Sequence, residues 1–315
     1  MSDQAQTVDP HTAIAAERFR KSRGLWRVLA FIALALSVVL GLGRFALPDR
    51  PEGDHIARLV IDGTITSDPD RLERMEELAE DPSVKAVIIA INSPGGTTAG
   101  GEELYEALAQ LRAAKPTVAI IKELGASAAY MTAIGTDRIF ARRLSIVGSI
   151  GVLYQHFNAG KMLETIGVDL DKVASGPLKA EPDFDEPMAG PARNSIAALV
   201  DDSFQWFVDI VAERRGLNRV AVLSLADGRI VTGRVALSTG LIDAIGGESE
   251  AIAWLETERS IAEDLAVQTA WPEPESGFDL LGTVLGGQAR AALGLGEGSM
   301  MLDGLVSLWQ VVPHS

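Results

Sequence analysis

The sequence contains no cysteine among its 315 residues. This absence excludes disulfide bonds, thiolate metal sites and a cysteine nucleophile within the chain. Histidine is scarce as well, with four copies, so a catalytic base has few histidine candidates. Aromatic residues make up only 5% of the chain, whereas glycine occurs 31 times, a composition that suits an α/β protein with tight turns.

Positive charge is also in short supply. The chain has 28 Lys and Arg residues against 43 Asp and Glu residues, which gives a net charge of −15. The first fifty residues are the exception, since seven basic side chains there outnumber four acidic ones. Because nucleic-acid binding requires a basic footprint, the acidic remainder predicts no nucleic-acid partner.

One apolar run stands near the N-terminus. From Val28 to Gly43 sixteen residues carry no charge, whereas a bilayer core takes roughly 20 residues. Arg27 and Arg44 can snorkel from its two ends and make up the difference. The pattern predicts a transmembrane anchor over residues 26–47, with a cleavable signal peptide as the alternative. The basic cluster before the run predicts a cytoplasmic N-terminus and an extracytoplasmic body.

The chain divides into five predicted segments. They are a cytoplasmic tail (1–25), the anchor (26–47), a linker (48–54), a folded domain (55–258) and a C-terminal extension of uncertain structure (259–315). In the folded domain, apolar strands such as Val84–Asn92 alternate with helices such as Glu102–Ala113, which predicts an α/β fold with a largely parallel sheet covered on both faces. The other predicted strands are 56–65, 117–122, 138–141, 146–155 and 169–174, and the other helices are 71–80, 125–135, 159–166, 191–215 and 218–226.

Two short motifs carry chemistry. Gly95 and Gly96 stand between a buried strand and a helix, where glycine N–H groups can approach an oxyanion or a phosphate. No Lys-Ser/Thr pair follows them and no G-x-G-x-x-G occurs, so neither a P-loop nor a dinucleotide fingerprint is present. Ser127 sits at a tight turn among small residues that leave its hydroxyl accessible as a nucleophile.

A nucleophilic serine needs a base, and the sequence offers two. Lys179 lies in the segment ASGPLKAEPDF, and His156 follows Ser127 by twenty-nine residues. A lysine can act as a base only where burial and neighbours lower its pKa from about 10.4. The residues alone leave both candidates open.

Five motifs stand in order along the chain. They are SPGG (93–96), GASAAY (125–130), VGSIGV (147–152), SGPLK (175–179) and GRIVTGRVALSTGLID (228–243). Together they resemble the signal peptide peptidase A family of membrane-bound bacterial serine peptidases, over about residues 55–255. The sequence departs from that family at Ala128 and Ala129, where many relatives have glycines.

The resemblance implies a crotonase/Clp-peptidase-like fold and a complete site. The implied roles are nucleophile for Ser127, general base for Lys179, orientation of that lysine for Ser149, and an oxyanion hole formed by Gly95, Gly96 and the N–H of Ala128. It also implies that the enzyme needs no metal or cofactor, forms a homo-oligomer and degrades cleaved signal peptides and other unfolded apolar peptides at the membrane. The expected location is the bacterial inner membrane, with one span and the peptidase domain on the periplasmic side.

Three other functions are compatible with parts of this pattern. A Clp-type peptidase would use a Ser–His–Asp triad with His156, a crotonase-like enzyme would act on acyl-CoA, and an anchored scaffold would keep the fold without activity. The apolar run at residues 299–312 is also open to several interpretations. It suits a membrane-surface segment, a contact between protomers, a peptide that enters a neighbouring active site, or a loosely packed terminal helix.

Overall fold

The computed structural model describes residues 29–37, 53–272 and 305–308. Residues 29–37 form helix α1, and its large apolar side chains are exposed. No helix within these three ranges is long and apolar enough to cross a membrane. The rest of the predicted anchor, the N-terminal tail and most of the predicted linker lie outside the described residues.

The body alternates strands and helices as the apolar pattern predicts. Its strands are β1 (His55–Ile65), β2 (Val84–Thr97), β3 (Thr117–Ala126), β4 (Arg138–Ala141), β5 (Ile146–Gly148), β6 (Leu153–Tyr154), β7 (Ile230–Thr232), β8 (Ala244–Ile245), β9 (Ala266–Trp271) and β10 (Leu305–Leu308). Its helices are α2 (Pro69–Glu80), α3 (Thr98–Ala114), α4 (Ala128–Ile134), α5 (Gly160–Thr165), α6 (Gly190–Arg215), α7 (Arg219–Leu225), α8 (Gly233–Ser238) and α9 (Glu248–Glu258). The predicted strand at 169–174 does not form, and those residues have no regular structure.

The strands form one mixed sheet whose centre is parallel. β9, β1, β2, β3, β4 and β8 pair in that order, each parallel to the next. β9 belongs to this sheet although it follows the predicted domain end at residue 258. Two additions lie where β2 and β3 end. β5 pairs parallel with β3 and antiparallel with β7, and β10 lies antiparallel between β2 and β6.

The core lies on both faces of this sheet. Along β2, Val87 and Ile89 face the larger apolar cluster, which includes residues of α2, α3, α4 and α6. Ala86 and Ile88 face the opposite way, into a smaller cluster with Leu255 of α9. Because successive side chains of a strand point to opposite faces, a strand covered on both sides needs an unbroken apolar run. The prediction of a sheet with surrounding helices is confirmed.

An ion pair fixes the C-terminal end of α6 to the sheet. Arg215 binds Asp243 through two contacts, Nη2–Oδ1 at 2.7 Å and Nη1–Oδ2 at 3.1 Å. The Nε–H of Arg215 donates to the carbonyl of Gly240 at 2.8 Å, and Asp243 also accepts the N–H of Ile139 in β4 at 2.8 Å. With the Arg215 side chain only 10% exposed, loss of the carboxylate would leave a largely buried cation unpaired.

We therefore expect Asp243→Ala to lower the free energy of unfolding by about 2 kcal/mol. Urea titration followed by circular dichroism measures the change. Asp209→Ala provides the matched control. Asp209 lies on α6 and, like Asp243, pairs with an arginine, Arg219, but here both side chains are exposed. That control should change the free energy by about 1 kcal/mol or less. Equal effects of the two substitutions would contradict the role given to Asp243.

Candidate active site

Ser127 occupies the junction between β3 and α4. Its backbone has φ 59° and ψ −122°, a conformation that residues other than glycine rarely adopt. Its N–H donates to the carbonyl of Gly148 at 2.8 Å, and the residue is 1% exposed. Strained backbone of this kind persists where the surrounding structure holds it, and it concentrates at functional sites.

Strand register places Ser149 next to Ser127. Ala126 of β3 pairs with Gly148 of β5, and each serine is the next residue of its chain segment. Ser149 also has a positive φ, 52°, and its N–H donates to the carbonyl of Arg229 at 2.8 Å. Two serines with unusual backbone therefore lie at the same edge of the sheet, although 22 positions separate them in sequence.

Both serines line one cavity of about 710 Å³. Three chain segments form its other walls: residues 151–155, residues 197–204 in the middle of α6, and residues 226–228. Most of the side chains that line it are apolar, including Val152, Leu153 and Phe204. The cavity offers a buried hydroxyl and an apolar surface large enough for several peptide side chains.

The segment predicted to bind an oxyanion, residues 93–97, lies in the same region; this segment, the glycine turn, forms the last part of β2. Ser93 of β2 pairs with Gly125 of β3, two residues before Ser127. Gly95 has φ 104°, and a Cβ on Gly96 would fall 1.7 Å from the carbonyl oxygen of Ile65, so both positions require glycine. The N–H of Gly95 donates to Ser93 Oγ at 3.1 Å. In this conformation the N–H of Gly95 is directed at Ser93.

Strand β10 runs along this turn. Val306, Ser307 and Leu308 pair antiparallel with Thr97, Gly96 and Gly95. On its other side β10 pairs with Leu153 and Tyr154 of β6. Leu153 also lines the cavity that contains Ser127. A segment from the C-terminal extension therefore fills a strand position at the edge of the cavity.

Lys179 lies apart from these groups. It is exposed on the loop between α5 and α6, and it is not among the residues that line the cavity. Its N–H donates to the carbonyl of Gly176 at 3.2 Å, and the next residue, Ala180, has φ 65°. The strand register therefore brings together Ser127, Ser149 and the glycine turn, whereas Lys179 is exposed and lies outside the cavity lining.

A local ion-pair network engages the acidic residues that follow Lys179. Lys172 binds the carboxylate of Glu181, with Nζ–Oε1 at 2.6 Å, and also that of Asp183. Hydrogen bonds from the ammonium to Asp183 and Glu181 raise the pKa of Lys172 above its usual range. The carboxylate of Glu181 is thus paired with Lys172, two residues away from the predicted base.

His156, the other candidate base, lies outside the cavity lining. Its Nε2 is 3.1 Å from the carbonyl oxygen of Glu186. The neighbouring Gln155 does line the cavity. The ring of His156 therefore contacts backbone on the α5–α6 loop.

The α6 wall is the part of the site that sequence reasoning did not identify. Ala197, Val200, Asp201 and Phe204 of this helix line the cavity. Their spacing places them on one helix face, a signal that is present in the sequence but indistinguishable from an ordinary amphipathic pattern. Within the described residues, no group of three or more His, Asp or Glu side chains could hold a metal ion.

Comparison with known proteins gives the family. Residues 109–262, which include both serines and Lys179, match Peptidase family S49. A Synechocystis protein provisionally named as a protease is 36% identical over 203 residues, which cover 64% of this chain and 73% of that protein. An Enterococcus faecium protein provisionally named signal peptide peptidase SppA is 32% identical, covering 62% of this chain and 58% of its own length.

A plant protein extends the range of relatives. The chloroplastic serine protease SPPA of Arabidopsis thaliana is 31% identical over 194 residues, which are 60% of this chain and 28% of the plant protein. The matched regions thus span very different shares of these three relatives. The family match and the identity to the Synechocystis protein together show that this chain belongs to peptidase family S49.

Proposed function

We propose that the protein is a serine endopeptidase in which Ser127 is the nucleophile and Lys179 is the general base. The observation that supports this most is Ser127 itself, a buried serine held at φ 59° beside Ser149 in an apolar cavity. Among the relatives, the name of the plant protein includes the words serine protease. We further propose that the sheet and its helices form a crotonase/Clp-peptidase-like fold.

The proposed reaction is acyl transfer in two steps. Neutral Lys179 removes the proton of Ser127 Oγ as that oxygen attacks the scissile carbonyl carbon, and the resulting lysine ammonium protonates the leaving amine. Water then attacks the acyl-enzyme with the same proton transfers in reverse order, releasing the second product and restoring Ser127. Ser149 would orient the lysine side chain through its hydroxyl.

Backbone N–H groups would stabilise the oxyanion formed in both steps. Ala128 is the first residue of α4, so its N–H has no acceptor within the helix. Gly96, in the turn beside Ser127, is the second donor we propose. The Gly95 N–H would contribute only after leaving Ser93 Oγ. One such donor is worth on the order of 3 kcal/mol of transition-state stabilisation in other serine peptidases.

The exposed position of Lys179 leads us to propose that a homo-oligomer completes the site. Residues 157–184, which include α5 and the part of the loop that carries Lys179, have exposed large apolar side chains, namely Phe157, Met162, Ile166, Leu170, Val173, Leu178 and Phe184. A cluster of this kind is unusual on a surface that faces water only. A second copy of the chain packed there would remove water from Lys179 and favour the neutral amine.

The proposed substrates are apolar peptides in extended form, including signal peptides left after cleavage. Two features support this substrate class. The cavity is mainly apolar, and β10 pairs with the glycine turn as an added strand, which is how peptides bind to exposed sheet edges. The name of the Enterococcus faecium relative also refers to signal peptides.

We propose that residues 26–47 anchor the enzyme in the bacterial inner membrane, with residues 1–25 in the cytoplasm and the peptidase domain in the periplasm. The uncharged run Val28–Gly43 supports this location, and so do the exposed apolar side chains of α1. An anchor of this kind would keep the cavity close to peptides that remain in the bilayer.

A serine-reactive fluorophosphonate tests the central part of the proposal. The full chain in detergent should become labelled at one site, Ser127, identified by mass spectrometry of the modified peptide, and labelling should abolish hydrolysis of an internally quenched apolar peptide. Labelling at another serine would reassign the nucleophile. An assembled protein that neither reacts nor hydrolyses the peptide would be the inactive scaffold.

Removing residues 299–315 is expected to raise kcat/KM for short apolar peptides severalfold, because β10 occupies a strand position at the edge of the cavity. Peptide hydrolysis at several enzyme concentrations measures the effect. A full-length chain with residues 305–308 replaced by Gly-Ser-Gly-Ser keeps the same length and should behave like the shortened chain. Unchanged or lower activity in both variants would mean that β10 does not compete with substrate.

A further inference from the structure

One carboxylate lies in the otherwise apolar α6 wall of the cavity. Ala197, Val200 and Phe204 line it together with Asp201, and their spacing along α6 places all four on one helix face. An aspartate at such a position is not required for packing, because it is exposed and contributes nothing to the apolar clusters. Its charge therefore faces whatever enters the cavity.

The charge of the second carboxylate of the cavity, that of Asp227, is compensated by an ion pair. Asp227 is bound by Arg229, with Nε–Oδ1 at 2.7 Å and Nη2–Oδ2 at 2.5 Å. These hydrogen bonds lower the pKa of Asp227 to about 2. Asp201 instead accepts a hydrogen bond from the neutral amide of Gln205 at 2.8 Å, and within residues 53–272 no ion pair includes it. The uncompensated negative charge of the cavity is that of Asp201.

We propose that Asp201 is a specificity-determining residue that binds a cationic side chain, lysine or arginine, of a peptide in the cavity. This inference rests on the proposed peptidase function. The aliphatic stem of the cationic residue would pack on Val200 and Phe204 while its charged end reaches the carboxylate. The chemistry thus selects peptides in which a basic residue stands among apolar ones.

Asp202 supplies a matched control. It is the next residue of α6, it is exposed, and it carries the same charge, but it does not line the cavity. Since the whole chain carries a net charge of −15, any cationic peptide gains some attraction that is unrelated to Asp201. Asp202→Asn removes the same amount of charge as Asp201→Asn, so the difference between them isolates the effect of position.

The experiment compares peptides that differ only in charge. In an apolar quenched peptide, each position on either side of the scissile bond is occupied in turn by lysine or by Nε-acetyl-lysine, which keeps the stem and removes the charge. For the wild-type full chain we expect kcat/KM to favour lysine by about fivefold at one position, and this ratio should decrease with salt. Asp201→Asn should bring the ratio close to one, and Asp202→Asn should leave it as in wild type.

The possible outcomes test the role of Asp201 and the proposed peptidase activity separately. A wild-type ratio near one at every position, or an equal loss in the two variants, would overturn the role of Asp201 while hydrolysis itself upheld the peptidase. Urea titration followed by circular dichroism shows, independently of hydrolysis, whether Asp201→Asn is as stable as wild type. If no peptide is hydrolysed and the fluorophosphonate does not react, the peptidase proposal fails first.

Discussion

Ser127→Ala is expected to abolish peptide hydrolysis, lowering kcat by about 10⁴- to 10⁶-fold. In the proposed mechanism the hydroxyl forms the acyl-enzyme, and no other side chain on the β3–α4 junction could replace it, because Ala126, Ala128 and Ala129 surround it. Initial rates with an internally quenched apolar peptide measure the loss. The fluorophosphonate should no longer label the variant.

The control for this substitution is a serine of ordinary function. Ser224 is exposed on α7, where its hydroxyl donates to the carbonyl of Ala221 at 2.7 Å. Ser224→Ala should keep wild-type activity and labelling. Urea titration should show that Ser127→Ala unfolds at a denaturant concentration no lower than wild type, so that lost activity is not lost structure. Retention of more than a tenth of the activity by Ser127→Ala would exclude this serine as the nucleophile.

Lys179→Ala should have the second largest effect, a loss of about 10³- to 10⁴-fold in kcat, because the serine would then have no base. Lys179→Arg shows whether Lys179 acts as a base or only supplies a positive charge. Its guanidinium stays protonated at every usable pH, so this variant should be as inactive as the alanine variant. Rates measured from pH 6 to pH 10 show whether raising the pH restores either one.

His156→Ala completes this comparison. Its ring contacts the carbonyl of Glu186 and does not line the cavity, so we expect activity close to wild type. The reverse result, with His156→Ala inactive and Lys179→Ala active, would replace the proposed dyad by a Ser–His pair. Substantial activity in both variants would mean that neither side chain is the base.

The central strands were predictable because burial on both faces makes their sequences apolar throughout. Val84–Asn92 is such a run, but β2 continues to Thr97, since Thr64 and Ile65 of β1 go on pairing through Gly95 and Gly96. The low strand propensity of glycine predicts that the strand ends before those two residues. Tertiary pairing overrides it.

Helix α3 shows the same conflict. It begins at Thr98, four residues before the predicted start, and so includes Gly100 and Gly101. Glycine is a poor helix former, but a Cβ on Gly100 would lie 2.6 Å from the carbonyl carbon of Thr66, so close packing requires glycine there. The low helix propensity of these glycines can be read from the sequence, but the close packing that requires glycine at position 100 cannot.

The candidate site was predictable in part. Ser127, Ser149 and the glycine turn stand in separate motifs, and the register of β3 with β5 and of β2 with β3 brings them to one edge of the sheet. The resemblance supplied their roles, because spacing along the chain contains no information about register. Asp201 and the rest of the α6 wall were missed because a helix face that lines a cavity has the same pattern as one that lines a core. The pairing of Lys179 with Ser127 stays a prediction.

The backbone of Ser127 has a consequence for what selection can improve in this protein. At φ 59° and ψ −122° a glycine would be relaxed, whereas a side chain costs on the order of 1 to 3 kcal/mol. Selection for thermal stability alone would therefore favour glycine at position 127. Under the proposed mechanism, each such variant would be more stable and inactive. Under that mechanism stability and catalysis are opposed at this one residue, so its serine is retained only while hydrolysis is useful to the cell.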